Sequence, residues 1–245
     1  MTSARGSIRH EGRTIEYDII RRPAVTRRIH LEMDRNGVLQ VVAPRGMSHQ
    51  ALNRALQKRS QRVDRFLGEA RARLRDLPEL SWLSGEAHLF LGKRYPLEVS
   101  VQTSKTGAVA LEEGKIRVLS TGDRPEQVKN QVVRWYRQQA QRQFARRLAL
   151  FCNDAPWVGP ELPPLRLRRM KRTWGSCSSK GVITLNTHLV KAPADMVDYV
   201  IAHEICHLQE PNHGKAFYAL QRGFYPPWRA ARARLRAEGH LFLHE

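Results

Sequence analysis

The feature that most constrains this chain is Val200-Ile201-Ala202-His203-Glu204-Ile205-Cys206-His207-Leu208, with His213 six residues beyond the second histidine. Residues four apart lie on one face of a helix, one turn above the other. The imidazoles of His203 and His207 can therefore share one metal ion at about 2.0–2.1 Å, the usual Zn–N distance. Glu204 is rotated from His203 by about a third of a turn, which sets its carboxylate beside the ion rather than on it. Tyr199, Val200, Ile201, Ile205, Cys206 and Leu208 make the helix largely apolar, so the histidines are expected inside the fold. Pro193 and Asp195 mark its start. His213 offers a third nitrogen soon after its end.

The pattern is the H-E-x-x-H of metal-dependent peptidases, in which the carboxylate serves as general base for a water activated by zinc. The spacing of His203, His207 and His213 also matches the metzincin register, but Glu210 stands where that pattern has glycine, and no methionine follows His213. Pro211 pushes Glu210 out of the helical region, and Asn212 is expected to cap a second helix with His213 in its first turn. The chain is not a metzincin. The competing third ligand is a carboxylate, Glu210 or Glu238; histidine suits the spacing better.

A length of 245 residues allows one large domain or two small ones. With no apolar run long enough for a membrane span and no signal-peptide core after Met1, the expectation is a soluble cytoplasmic protein without membrane attachment. Cys152, Cys177 and Cys206 are three, an odd number without C-x-x-C spacing, which fits reduced thiols. Cys177 and Cys206 read as small core residues rather than ligands. The net charge of +19 is the compositional outlier. Such a field attracts polyanions, so non-specific nucleic acid is a candidate partner. The plainer account is arginine spread over solvated helix faces.

Along the chain, Arg13–Arg21 alternates as a half-buried strand does, and Arg28–Met33 and Val38–Val42 flank Asn36-Gly37 as a hairpin. An amphipathic helix is expected from Ser48 to about Arg75, then a linker over 76–84. Strands are expected at His88–Leu91, Tyr95–Val101, Ala108–Leu111 and Lys115–Leu119. Asp123, with Glu126 as capping-box partner, opens a long helix to about Phe151. Val128, Val132, Trp135, Tyr136, Ala140, Phe144 and Leu148 form its apolar stripe. Leu165–Thr173 and Val182–Leu189 read as two strands. The second leads into the histidine helix and is the natural edge for an extended substrate. Trp174 reads as core.

Taken together, Arg172-Thr173-Trp174-Gly175-Ser176-Cys177-Ser178, Ile183-Thr184-Leu185-Asn186, Asp198-Tyr199-Val200, His203-Glu204-Ile205-Cys206-His207 and Asn212-His213 with Phe217 resemble the YgjP-like metallopeptidase family, relatives of the SprT-like zincins. The Ile15–Ile20 strand, Arg27-Arg28-Ile29, Ala43-Pro44 and Gly92-Lys93-Arg94-Tyr95-Pro96-Leu97 extend the likeness over most of the chain. Val63 and Tyr218 stand where the family tends to have tryptophan. The resemblance implies an α+β, zincin-like metallopeptidase domain over 78–245, preceded by a strand-rich region over 1–77 that packs on it. It further implies a zinc-dependent hydrolase acting on polypeptide, with His203, His207 and His213 as ligands and Glu204 as base. Tyr218, Tyr225, His188 and Arg172 are candidates to stabilise the oxyanion. The rival from another class is a basic nucleic-acid-associated protein with structural zinc. Between the two stands a peptidase recruited to nucleic acid.

Overall fold

The computed structural model describes residues 4–21, 29–33, 38–75, 80–102, 107–170 and 173–243. The chain divides into two compact units, Met1–Pro78 and Glu79–Glu245, each with its own core. Both mix helices with sheet, so the fold is α+β. No helix among the described residues is long and apolar enough to cross a membrane.

In the first unit, β1 (Ala4–His10), β2 (Arg13–Arg21), β3 (His30–Met33) and β4 (Leu39–Ala43) form a sheet in the order β1-β2-β4-β3. β2 and β4 run parallel and the outer pairs antiparallel. β1 escapes a reading of the sequence because Ile8 is its one large apolar residue, so no alternation is visible. It is made by its partner, through a turn with Glu11 at φ 45° and Gly12 at φ 76°. Two positive φ values in a row match the twist of the strands they join. The Asn36-Gly37 turn lies outside the described residues.

The single helix expected from Ser48 is two, α1 (His49–Gln57) and α2 (Ser60–Arg75). Ser48 does cap the first, its Oγ accepting the Ala51 N–H at 3.2 Å. The break falls at Lys58-Arg59, where the Arg59 N–H bonds the Leu56 carbonyl and tightens the turn. The chain thereby bends, with Leu52 and Leu56 before the break and Val63 and Leu67 after it buried in one core with Ile8, Tyr17 and Val41.

The second unit opens with a segment that reads as linker but is tied down from residue 80 onward. Trp82 is buried, its ring 5.0 Å from that of His88, and the Glu86 carboxylate accepts the N–H groups of Ser81 and Trp82. β5 (Ala87–Phe90), β6 (Lys93–Val101), β7 (Ala108–Glu112) and β8 (Lys115–Ser120) follow as a sheet ordered β5-β6-β8-β7. Against it lies α3 (Pro125–Asn153), with all seven residues of the expected stripe buried. Its N-cap is Arg124 rather than Asp123, without a side-chain bond. Pro125, whose φ is already helical and whose missing N–H needs no partner, starts the helix instead.

Both strands expected after α3 are shorter, and a third stands between them. β9 is Leu165–Arg168, β10 Gly175–Cys177 and β11 Ile183–Asn186, in the order β10-β11-β9. β11 stops at Asn186 because that fully buried side chain has other work. Its Oδ1 accepts the His188 N–H, beginning a 3-10 helix at Thr187–Lys191, while Nδ2 donates to the carbonyls of Met170 and Thr173. β11 is also paired on both sides, so it is not the open edge expected of it; that place belongs to β10. Three helices complete the unit, α4 (Ala194–Cys206), α5 (Lys215–Phe224) and α6 (Trp228–Phe242).

The start of α4 is fixed by the β5–β6 turn. The N–H groups of Leu91 and Gly92 donate to the carbonyls of Val190 and Lys191 at 2.9 and 3.0 Å. Gly92 has φ 79°, and a Cβ there would lie 2.8 Å from Pro193, so the turn can approach this closely only as glycine.

Candidate metal centre

α4 lies in the core along most of its length, with Met196, Val197, Val200, Ile201 and Ile205 buried. Ion pairs hold its flank: Arg147 of α3 with Asp198, and Arg234 of α6 with Asp195 at 2.6 Å. His203 falls in its last turn and His207 at its C-cap. The chain then leaves through a tight turn in which the Glu210 N–H donates to the Cys206 carbonyl at 2.9 Å. α5 is capped by Gly214, not Asn212, so His213 stands just before that helix rather than in its first turn. The backbone stays extended at Gly214, and this returns the His213 ring towards α4.

The three rings meet through one kind of atom. His213 Nε2 lies 3.0 Å from His203 Nε2 and 3.1 Å from His207 Nε2. One ring proton on His213 can serve one of these contacts but not make two full hydrogen bonds. His207 Nδ1 is 3.0 Å from the Glu210 carbonyl oxygen, an acceptor only, so Nδ1 carries the proton and Nε2 a lone pair. His203 Nδ1 lies 3.2 Å from the Gln221 side-chain amide, whose oxygen accepts the same proton once the amide is turned about its own axis. Imidazole nitrogens gathered at a common point suit a cation. Nitrogens around a tetrahedral zinc stand roughly 3.3 Å apart, close to the separations here. Three neutral imidazoles fit zinc, and also iron, nickel or copper.

Behind the rings stands Phe217, fully buried, with its centroid 4.9, 4.6 and 4.7 Å from those of His203, His207 and His213. Burial, reinforced by the other two rings, pushes His203 down to about 4. His213 is lowered too, by burial, His207 and Arg232. Both shifts favour the neutral imidazole, the form that binds a metal.

Glu204 is only 4% exposed. Burial pushes its carboxyl up to about 8, against the pull of a hydrogen bond from the Cys177 N–H. Gly175 makes room for it: a Cβ there would lie 2.5 Å from Glu204 Oε1. Glu204 and its support on β10 are thus built as one piece. The carboxylate of Glu210 is not in the cluster, which among the described residues consists of His203, His207 and His213. Glu210 contributes its carbonyl instead.

The other candidates separate clearly. The Tyr225 hydroxyl donates to the Asp195 carbonyl at 3.0 Å, and burial pushes its pKa up to about 12. His188 is buried in the 3-10 helix and is not one of the converging histidines. Tyr218 stacks between His213 and Trp228, with centroids 6.3 and 5.5 Å away. Arg172 lies outside the described residues. Cys206 is fully buried and Cys177 half-buried, and neither joins the cluster. Trp174 packs edge-on against Phe242 over Gly239, as a core residue.

Gln221, Phe217, Gly175 and Arg232 have no motif spacing of their own. Phe217 and Gly175 are marked only by the family likeness, and Arg232 belongs to a helix beginning fifteen residues after His213.

No curated protein matches the chain. Among solved structures, the metallopeptidase zymogen abylysin of Pyrococcus abyssi is 23% identical over 38% of this chain and 94% of that one, with a TM-score of 0.32. The family model described as the YgjP-like metallopeptidase domain matches residues 27–238, across both units and every residue of the histidine cluster. The chain belongs to the YgjP-like metallopeptidase family.

Proposed function

We propose that this chain is a zinc-dependent peptidase in which His203, His207 and His213 hold the ion and Glu204 moves the proton. The observation that carries this is the convergence of three imidazole nitrogens beside a buried carboxyl that is not one of them. When bound, a zinc ion supplies Lewis acidity for a carbonyl and for a water molecule. Glu204 takes the proton of the attacking water at a carboxylate oxygen and returns it to the leaving amine. A nearby cation favours the charged form of Glu204, offsetting the burial that otherwise keeps it protonated. Tyr218, stacked beside His213, is the candidate to meet developing negative charge.

β10 supplies the substrate edge. Trp174 and Ser178 bond across to Asn186 and Val182, so the alternate residues Gly175 and Cys177 turn their backbone groups away from β11. The Cys177 N–H goes to Glu204, and Gly175 offers its N–H and carbonyl to an extended peptide. Against a purely structural zinc stands the ligand count: structural sites are closed by four protein ligands, and three are present among the described residues.

Protein reconstituted with zinc is expected to cleave members of a peptide library, read by mass spectrometry, to stop on chelation and to recover when zinc returns. Cleavage indifferent to the chelator would assign the activity to a contaminant. Zinc-loaded protein that leaves every peptide intact would sink the proposal. A second expectation concerns Gly175→Ala. The added methyl displaces the Glu204 carboxylate, and a misplacement of this size costs about 10²-fold in kcat/KM. Bound zinc should be unchanged. Full activity in this variant would mean that the carboxylate needs no exact seat.

A further inference from the structure

Two adjoining cavities of about 500 and 420 Å³ lie between α3 and the outer edge of β9, and share Arg134, Arg137 and Leu167. They form one groove. Its cationic lining is Arg134, Arg137, Arg166, Arg168, Arg169 and Lys191, and among the described residues no carboxylate lines it. The five arginines are exposed, while Lys191 is buried with its ammonium 5.0 Å from the centre of the Tyr136 ring. Asn130, Gln138, Gln141 and Thr187 add neutral hydrogen-bonding side chains.

The fold explains why these charges gather. Asn130, Arg134, Arg137, Gln138 and Gln141 follow helical spacing on the face of α3 away from its buried stripe. Arg166 and Arg168 alternate along β9 with the half-buried Leu165 and Leu167. β9 is the sheet edge opposite β10, so the groove lies across the sheet from Glu204 and contains none of the metal cluster.

We propose that this groove binds the phosphate backbone of nucleic acid without reading its bases. Guanidinium groups present paired donors to phosphate oxygens, and five of them along one concave strip match a repeating anion. A flat membrane surface does not enter such a groove. Among the described residues the exposed lining carries no aromatic ring on which a base could stack, since Tyr136 and His188 are both buried and the Tyr136 hydroxyl donates to the Leu89 carbonyl at 2.7 Å. The groove therefore tethers the chain to nucleic acid on one edge of the sheet and leaves the other edge to the metal site. The tether does not rest on the peptidase proposal, because binding is measured without turnover.

The experiment is fluorescence anisotropy with a labelled mixed-sequence single-stranded DNA of about 20 nucleotides, titrated with the full chain from low to high salt. Arg134→Glu/Arg137→Glu is compared with Arg54→Glu/Arg62→Glu, an equal charge change on exposed residues of the other unit. The groove variant is expected to bind about tenfold or more weakly, and losing two phosphate contacts should reduce the log–log salt slope by about 1.4. The control variant should bind nearly as the wild type does. Circular dichroism and zinc content identify any variant that has lost its fold, and Arg166→Gln/Arg168→Gln then stands in for it. Equal losses in both variants would make the charge a diffuse field and overturn the groove. Absence of DNA and RNA binding by the wild type, or tighter binding of anionic vesicles or an acidic peptide, would overturn nucleic acid as its ligand.

Discussion

Glu204→Gln is expected to lose about 10²–10⁴-fold in kcat/KM, the usual cost of removing a general base, while still holding zinc. The separation follows from the geometry. Glu204 is not among the residues whose ligand atoms converge, so the metal does not need it. Its carboxyl sits over Gly175 and accepts the Cys177 N–H, a bond the glutamine oxygen can keep. The side chain is nearly the same size and neutral, which a buried site accepts readily, so the melting temperature should hold. Only the proton acceptor is gone. Peptide cleavage by wild type and variant at matched zinc content makes the measurement. Undiminished cleavage would remove Glu204 from the mechanism; zinc lost with activity would make it a support of the metal.

His203→Ala/His207→Ala is expected to retain no zinc after reconstitution and to show no cleavage. Two of three converging nitrogens disappear, and His213, exposed and on a turn, cannot hold an ion alone. The loss should be complete because a metal site of this kind exists only where the fold assembles its ligands. Elemental analysis of the gel-filtered protein reads the result, with Glu204→Gln as the zinc-retaining comparison. A full equivalent of zinc in the double variant would place the metal elsewhere and redraw the site.

Much of this site is legible in the sequence because local spacing encodes it. His203, His207 and Glu204 are fixed relative to one another by one helix, and His213 follows within a single turn. The stripe on α3 is legible for the same reason: one helix and one period. What stays hidden depends on partners distant in sequence. β1 is a strand because β2 pairs with it, and β11 is interior because β9 and β10 flank it. The bend between α1 and α2 breaks no apolar period, so nothing in the pattern marks it. Gln221 and Phe217 reach the histidines from α5, Arg232 of α6 acts on them only through its charge, and Gly175 acts through the side chain it lacks. Asn212 carries the chemistry of a cap, yet the extended backbone at Gly214 decides where α5 begins.

The bond from His207 to Glu210 sets a different kind of constraint on the chain. Its acceptor is a main-chain oxygen, which every amino acid possesses. Side-chain identity at this position is therefore free with respect to the metal site, whereas the number of residues between His207 and His213 is not. An insertion or deletion there would move the carbonyl from beneath the imidazole and shift His213 along the backbone, undoing two ligands at once. Related chains that keep this centre should vary in side chain at the position of Glu210 and agree in the length of the turn.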